Sequence, residues 1–283
     1  MAATISRTTA ATLLSNVQRG LSPIELLYTP NDRWPLPRKF RPHHLHLSIS
    51  ILDSSFNPPT KAHLALAKVP RHDPTGHAYD AKIFLLSVRN ADKSLKPTDA
   101  TYIQRLEMML LLAQETVRKG HRHPIAVAVI DEPTFAGKAS KLRAFLEERV
   151  VNLGIQRPEL NFLMGFDTLE RLFAPRYYGD SPEDPEAEAK MFKALDKFFS
   201  EEQDNARVVY ARRGGSPNEE ATLALADRFI QQKRVELVEL DEDVDTTSST
   251  RVREAIRERK SWAPLVPPSI LQYLKNEKLY TWP

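Results

Sequence analysis

The sequence contains no cysteine, and this absence excludes several kinds of chemistry. Disulfide bonds, thiolate nucleophiles, cysteine-bound zinc and iron–sulfur clusters all need this residue, so none of them can be built from this chain. A reducing intracellular compartment suits such a composition, and we expect the cytoplasm or the nucleus.

Glycine is also scarce, with 9 residues among 283, although there are 21 prolines. No three glycines fit G-x-G-x-x-G, and no pair fits G-x-x-x-x-G-K-[ST]. The two commonest phosphate-binding loops, the dinucleotide fingerprint and the Walker A loop, are therefore absent. Any nucleotide site in this chain must be built in another way.

Long hydrophobic runs and a large net charge are absent too. The longest apolar runs, Met108–Ala113 and Ile125–Ile130, are far shorter than the roughly 18 residues of a membrane helix, so we expect no membrane partner. A net charge of +3 is too small to indicate a nucleic-acid partner. It suits a few local basic residues that face a small anion.

The N-terminal 45 residues are predicted to be a helix over 1–30 followed by a proline-rich lead-in to the main domain. The Ser/Thr-rich start, with Arg7 and Arg19 and no early acid, is compatible with a mitochondrial presequence. The apolar spacing continues through Leu21 to Ile24 and Leu27, however, which favours a structured amphipathic helix and makes a mitochondrial location the less favoured alternative.

From residue 46 onward, strand-like and helix-like segments alternate. Predicted strands cover 46–52, 82–88, 125–130, 160–165, 207–211 and 235–240, and most of the segments between them have helical spacing. Asp99 is predicted to cap the helix that runs to Lys119. Such alternation predicts an α/β fold with a Rossmann-like, doubly wound parallel sheet, as a single domain over residues 46–283.

One segment, about 175–206, interrupts this rhythm. It begins with the acidic run SPEDPEAEA and continues with an amphipathic stretch. Because its start is too polar for a core element, we predict a helical insertion or lid over one edge of the sheet.

Two stretches have the composition of anion sites. Asp53–His63 joins a predicted strand to a predicted helix, where free backbone N–H groups and the helix dipole favour a phosphate. Thr60 and His63 lie one helical turn apart and can point to the same place. The hydroxyl-rich run 246–250 begins another helix, with Arg253 on its first turn.

These stretches resemble the signatures of nicotinamide mononucleotide adenylyltransferases, in the T/HxGH-type nucleotidyltransferase superfamily. SSFNPPTKAH (Ser54–His63) is similar to G-x-F-N-P-x-T-x-x-H, and SSTRVR (Ser248–Arg253) to S-S-T-x-x-R. Weaker matches are KSLKPTDATYIQRLEM (Lys93–Met108), MGFDTLERL (Met164–Leu172) and VVYARRG (Val208–Gly214). The resemblance covers roughly residues 46–279, and the extra segments indicate a divergent, fungal-type branch.

The resemblance implies transfer of AMP from ATP to the 5′-phosphate of nicotinamide mononucleotide, giving NAD and pyrophosphate, with Mg²⁺ accompanying ATP. The attacking phosphate is already ionised at neutral pH, so catalysis needs alignment and charge neutralisation but no general base. The implied partners are these small molecules, and a homo-oligomer is an open alternative.

The same resemblance implies roles for individual residues. His63, with Thr60 beside it, would bind the α-phosphate, and Ser249, Thr250 and Arg253 would bind the β- and γ-phosphates. Gly165 and Asp167 would approach the ribose and the adenine edge. The other predicted substrate-binding residues are Ser54, Ser55, Phe56, Ser248, Lys93, Lys96, Arg105, and Arg212 or Arg213. No residue is predicted to bind a metal directly.

The chain departs from the family pattern in two places. Ser54 replaces the family's glycine, and the preceding Asp53 would repel ATP unless Mg²⁺ or a lysine lies beside it. The segment Ile130–Leu142 lacks the tryptophan that stacks on nicotinamide, so Phe135 is the expected substitute and Glu132 the expected acid.

Other interpretations stay open at this point. The chain could adenylylate another phosphate monoester such as phosphopantetheine, hydrolyse ATP, or bind nucleotide as a sensing module without turnover. Individual residues also have structural alternatives: Thr60 as a plain helix cap, Asp167 as the cap of a helix over 168–173, and Lys93 and Lys96 as solvated loop lysines.

Overall fold

The computed structural model describes residues 5–36, 46–72, 76–89, 96–118, 125–155, 157–181, 183–212, 217–240, 244 and 247–281. Within these ranges the strands are β1 (Ile24–Tyr28), β2 (Ser48–Asp53), β3 (Ala81–Ser87), β4 (Ile125–Ile130), β5 (Glu159–Gly165), β6 (Ala206–Ala211) and β7 (Val235–Val238). The α-helices are α1 (Arg7–Gln18), α2 (Lys61–Lys68), α3 (Tyr102–Arg118), α4 (Phe135–Val150), α5 (Phe166–Leu172), α6 (Ala187–Phe199), α7 (Glu219–Gln231), α8 (Ser249–Arg257) and α9 (Pro268–Asn276).

The described strands form one sheet in the order β1-β4-β3-β2-β5-β6-β7. All neighbouring strands are parallel except β1, which pairs antiparallel with β4. The predicted doubly wound, Rossmann-like α/β fold is thereby confirmed. The strand order reverses between β2 and β5, and in such sheets ligands bind in the crevice beyond the carboxyl ends of those strands.

Hydrophobic side chains cover both faces of the sheet. Helices α1, α2 and α3 pack on one face, through residues such as Leu14, Leu66 and Leu112. Helices α4 to α7 pack on the other, through residues such as Leu142 and Phe229. A third, smaller core joins α8 and α9 to α3, so the C-terminal part of the chain lies against a helix of the first half.

The prediction of one helix over residues 1–30 is wrong in its second half. Helix α1 ends at Gln18, and Gly20 follows with φ of 70°, a left-handed conformation that glycine adopts without a Cβ clash. Pro23 cannot donate a backbone hydrogen bond, and the chain then enters β1. Ile24 and Leu27 fitted a helical spacing, but they lie in strand β1, where their side chains are buried.

The prediction of a lid over an edge of the sheet is also corrected. Helix α6 lies on a face of the sheet, in contact with α4 and β6. Its side chains Met191, Leu195 and Phe198 are completely buried in the main core. The acidic run covers the preceding loop and the first turn of α6, and the amphipathic stretch that follows buries its apolar side against the sheet, so the polar start did not exclude a core-facing helix.

No helix in the described part of the chain is long and apolar enough to cross a lipid bilayer.

Candidate active site

A cavity of about 230 Å³ opens at the carboxyl edge of the sheet, beside the ends of the paired strands β2 and β5. Both predicted anion sites contribute to its wall. The predicted site residues that line it are Ser54, Ser55, His63, Gly165, Asp167, Ser248, Ser249, Thr250 and Arg253. The switch point of the fold therefore brings together segments that are nearly 200 residues apart in the sequence.

His63, on the first turn of α2, is fixed by both of its ring nitrogens. Nδ1 lies 3.0 Å from the Thr60 backbone nitrogen and 2.9 Å from the Thr60 hydroxyl. A backbone N–H can only donate, so Nδ1 accepts and the neutral ring carries its proton on Nε2. Nε2 lies 2.9 Å from the Ser54 hydroxyl. A donor N–H is thus presented at the cavity wall, where an anion would compete with Ser54 for it.

Two buried residues, Phe56 and Thr60, support the turn between β2 and α2. Phe56 is fully buried with a positive φ of 45°, and its ring packs 5.3 Å from the His63 ring, centroid to centroid. Thr60 is completely buried and supports His63 without lining the cavity. Phe56, predicted to bind substrate, does not line the cavity either, whereas Ser54 and Ser55 do.

The C-terminal motif binds directly to this turn. Ser248 caps α8 by accepting from the Arg251 N–H, and the Ser249 hydroxyl donates to the Pro58 carbonyl at 2.8 Å. Arg253 donates from Nη1 to the Asn57 carbonyl at 2.5 Å and from Nη2 to the Thr250 hydroxyl at 3.2 Å. The two predicted anion sites are therefore one hydrogen-bonded unit.

The carboxylate of Asp53 is neutralised by a lysine. Lys138, from the first turns of α4, places Nζ 2.5 Å from Asp53 Oδ2, and the two side chains are only 6% and 9% exposed. Lys138 Nζ also lies 4.8 Å from the centre of the Phe135 ring. The sequence analysis expected either Mg²⁺ or a lysine to offset the negative charge of Asp53, and the structure shows a lysine.

Glu132 has a structural role at the start of α4. Its Oε1 accepts from the Thr134 N–H at 3.1 Å and from the Thr134 hydroxyl at 2.8 Å, and Lys141 lies 3.2 Å from Oε2. Burial by itself would raise the pKa of Glu132, but these hydrogen bonds and Lys141 lower it overall. A Cβ at Gly137 would lie 2.3 Å from the Glu132 carboxyl carbon, so any side chain there would displace this carboxylate.

Asp99 does not cap α3 as predicted. Thr101 accepts from the Gln104 N–H in that position, and α3 begins at Tyr102. Asp99 Oδ1 instead accepts from the Asn57 amide at 2.8 Å, and Oδ2 lies 3.6 Å from an Arg105 nitrogen. Burial would raise the pKa of Asp99, but the hydrogen bond from Asn57 and the nearby arginines lower it overall.

Of the remaining predicted phosphate ligands, the three that the structure describes (Lys96, Arg105 and Arg212) do not line the cavity. Arg105 is buried behind the turn and donates to the Ala100 carbonyl at 2.9 Å. Arg212 pairs with Glu219 at 2.6 Å and is half exposed. Lys96 lies in an exposed loop, and Lys93 and Arg213 lie outside the described residues. Contacts of these five cations with a substrate stay predictions.

Asp167 lies in the first turn of α5, and Gly165 occupies the cap position. The helix begins earlier than the 168–173 predicted for it, so the alternative role of Asp167 as its cap is wrong. Both residues line the cavity beside the end of β5.

Sequence reasoning missed three residues that line the cavity. Lys138, Tyr177 and Tyr178 line the cavity together with Phe135. Tyr178 is held by donating its hydroxyl to the Leu172 carbonyl at 2.8 Å. The two tyrosines follow the GFDTLERL segment closely, and this proximity was the available signal, but they fell inside the stretch assigned to an insertion.

Among the described residues, no group of three or more histidine, aspartate or glutamate side chains is arranged to hold a metal ion. The Asp53 carboxylate is bound to Lys138, while Asp167 lines the cavity. The predicted Mg²⁺ stays a prediction.

The fold and the cavity define a Rossmann-like α/β protein with a polar, cation-bearing pocket at the switch point of its sheet. No protein-family model matches the chain. It is 29% identical over 241 residues to a Schizosaccharomyces pombe protein provisionally named a nicotinamide mononucleotide adenylyltransferase, an alignment covering 80% of this chain and 84% of that protein. It is 28% identical over 235 residues to a Chlorobium luteolum protein provisionally named a nicotinate-nucleotide adenylyltransferase, covering 83% of this chain and 98% of that protein.

These similarities confirm the resemblance found in the motifs. Over most of its length the chain is similar to proteins named as nicotinamide- and nicotinate-nucleotide adenylyltransferases, at an identity that marks it as divergent from them. The yeast relative is consistent with the fungal-type branch.

Proposed function

We propose that the protein is an adenylyltransferase that transfers AMP from ATP to the 5′-phosphate of nicotinamide mononucleotide, giving NAD and pyrophosphate. The observation that carries this proposal is that His63, Ser249 and Arg253, from two distant motifs, line the same switch-point cavity. The names of both relatives support an adenylyltransferase of pyridine nucleotides.

In the proposed reaction, an oxygen of the acceptor phosphate attacks the α-phosphorus of ATP. A new P–O bond forms, the bond from the α-phosphorus to the bridging oxygen breaks, and pyrophosphate leaves with that electron pair. No proton needs to be removed from the nucleophile, since a phosphate monoester is ionised at neutral pH. The protein must align two anions and stabilise the charge that develops on the leaving group.

The site residues suit these two tasks. The Nε2–H of His63 is proposed to donate to an α-phosphate oxygen, in place of its contact with Ser54. Arg253 and the first turn of α8 are proposed to bind the leaving phosphates, because a guanidinium and a helix N-terminus both stabilise negative charge. Mg²⁺, carried in with ATP by its phosphate oxygens, would neutralise further charge there.

The acceptor base is proposed to occupy the opposite wall. Phe135 lines the cavity and packs edge-on against Phe162, with ring centres 5.8 Å apart, as a partly buried side chain at the margin of the main core. Tyr177 is partly exposed at the cavity wall, with the Arg176 guanidinium 4.8 Å from its ring centre. Aromatic side chains at the cavity wall can stack on a pyridine ring. Phe135 and Tyr177 would thereby do what the family's tryptophan does.

The proposal is tested by incubating the purified protein with ATP, Mg²⁺ and nicotinamide mononucleotide and measuring NAD and pyrophosphate together. We expect the wild type to make NAD and pyrophosphate in equal amounts. We expect the His63→Ala variant to make almost none of either. Parallel reactions contain nicotinate mononucleotide, phosphopantetheine or no acceptor.

Each rival predicts a different result. Faster turnover with nicotinate mononucleotide or phosphopantetheine would show that this compound, and not nicotinamide mononucleotide, is the preferred acceptor. ADP or phosphate released without any acceptor would indicate ATP hydrolysis, and nucleotide binding without any product would indicate a sensing module. The Tyr177→Leu variant should raise the KM for the acceptor about tenfold with little change in the KM for ATP, since one aromatic stacking contact is lost.

A further inference from the structure

The side chain of Asn57 lies at the centre of the turn that joins the two halves of the site. Its amide nitrogen donates to Asp99 Oδ1 at 2.8 Å, and its oxygen accepts from the Ala100 N–H at 3.2 Å. A carboxylate can only accept and a backbone N–H can only donate, so the orientation of the amide is determined. Asn57 is 5% exposed.

The Asn57 side-chain oxygen accepts a second hydrogen bond, from a residue near the C-terminal end of the chain. The Tyr280 hydroxyl lies 2.7 Å from Asn57 Oδ1, across 223 positions of sequence. Because that oxygen is an acceptor, the phenol must donate. Burial raises the pKa of Tyr280 well above its usual value, so the phenol keeps its proton at neutral pH.

The end of the chain is shaped to make this contact. After α9, Lys278 and Tyr280 have φ of 50° and 63°, a left-handed conformation that is unfavourable for residues with a Cβ. Tyr280 and Leu279 pack against the small core formed by α3, α8 and α9. Packing therefore holds a backbone conformation that local preference opposes, and the result is to aim the phenol at Asn57.

We propose that Tyr280 is a positioning residue of the adenylyl-transfer site, whose hydroxyl holds the Asn57 turn in register with the C-terminal motif. The Asn57 carbonyl accepts from Arg253, and the next carbonyl, of Pro58, accepts from Ser249. Any rotation of this turn would move both phosphate-binding side chains. Tyr280 does not line the cavity and acts through Asn57.

The inference rests on the proposed function and is tested with the full chain carrying Tyr280→Phe, which keeps the ring and removes only the hydroxyl. The matched control is Tyr273→Phe, because the Tyr273 hydroxyl donates to Glu107 from the same C-terminal region, and neither residue lines the cavity. We expect Tyr280→Phe to lower kcat about fivefold to tenfold, as the loss of one neutral hydrogen bond allows, with its melting temperature close to that of the control. The KM for the acceptor should change less than kcat.

Two further measurements separate this inference from the proposed function. Affinity for a non-hydrolysable ATP analogue with Mg²⁺, measured by calorimetry, should fall in Tyr280→Phe but not in Tyr273→Phe, whether or not the wild type makes NAD. In a double-mutant cycle, Tyr280→Phe should have little further effect in an Asn57→Ala background.

Three outcomes would overturn the role of Tyr280. The first is that Tyr280→Phe leaves kcat and the affinity for the analogue unchanged, and the second is that Tyr273→Phe lowers them equally. The third is that the effects of Tyr280→Phe and Asn57→Ala on kcat are additive. A wild type that binds the analogue and makes no NAD would instead overturn the proposed function alone.

Discussion

Lys138 Nζ lies 2.5 Å from Asp53 Oδ2 at the wall of the cavity, and this buried ion pair neutralises an acidic residue beside the proposed phosphate site. A buried charge that loses its partner is costly, whereas removing both charges together is often tolerated. The pair therefore ties the stability of the protein to the wall of the proposed nucleotide site.

Lys138→Met should lower the free energy of unfolding by about 3–5 kcal/mol, because it leaves the Asp53 carboxylate buried without its lysine. The double variant Asp53→Asn with Lys138→Met should recover most of that loss. Urea unfolding of the three proteins at neutral pH measures both effects. A double variant no more stable than Lys138→Met would show that the charge of Asp53 is not the cause.

His63→Ala should lower kcat at least about 100-fold, as expected when one donor to a developing charge is removed. Its unfolding free energy should fall by only about 1–2 kcal/mol, for the lost hydrogen bond to Thr60 and the lost packing against Phe56. Ser54→Ala, which removes the partner of Nε2 but keeps the ring, should cost less than about tenfold in kcat. A fall in activity that merely follows the unfolded fraction would make His63 structural.

Arg253→Lys should lower kcat/KM for ATP by about 30- to 100-fold, since an ammonium cannot reproduce the fork that joins Asn57 and Thr250. Arg212→Lys is the control, because Arg212 pairs with Glu219 and does not line the cavity. It should change kcat/KM by less than about threefold. A loss in Arg212→Lys as large as that in Arg253→Lys would show that Arg212 reaches the substrate during the reaction.

Lys82, in β3, gives a prediction for pH. It is 2% exposed and donates to the Ala67 carbonyl at 2.5 Å, and burial lowers its pKa from 10.5 to about 8. Between about pH 8 and 10.5 the unfolded chain binds more protons at this site than the folded chain does, so the contribution of Lys82 to stability rises with pH in that window.

The comparison with Lys82→Met isolates this contribution. The unfolding free energy of the wild type minus that of the variant should rise by about 2–3 kcal/mol across the window and stay flat below about pH 7. Lys193→Met, on the exposed side of α6, controls for the loss of a lysine charge. A difference that does not change with pH would show that Lys82 has the same proton affinity in both states.

Much of the fold could be predicted from the sequence because its signals are local. The apolar runs that become β2 to β7, and the helical spacing between most of them, report on residues that are close together in the chain. Strand β1 could not be found in this way, since Ile24 and Leu27 fit a helical and a strand spacing equally well over so short a stretch. Pairing with β4 decides between the two, and β4 lies about a hundred residues away.

The candidate site divides in the same manner. His63, Thr60 and Arg253 were identified because their motifs are contiguous, and the structure brings their segments together. Lys138 and Tyr280 carry no such signal, because their partners Asp53 and Asn57 lie 85 and 223 positions away. The spacing of residues in a sequence says nothing about which distant side chain will satisfy a buried charge or amide.

The sequence by itself determined the alternation that builds a doubly wound sheet, the two phosphate-type motifs, and the absence of cysteine chemistry and of glycine-rich nucleotide loops. Only the tertiary structure decided that the two motifs form one hydrogen-bonded unit and that Lys138 neutralises Asp53. It also decided that the end of the chain reaches back to Asn57. The physical reason is that helix and strand preferences act over a few residues, whereas buried polar groups must find partners wherever the packed chain provides them.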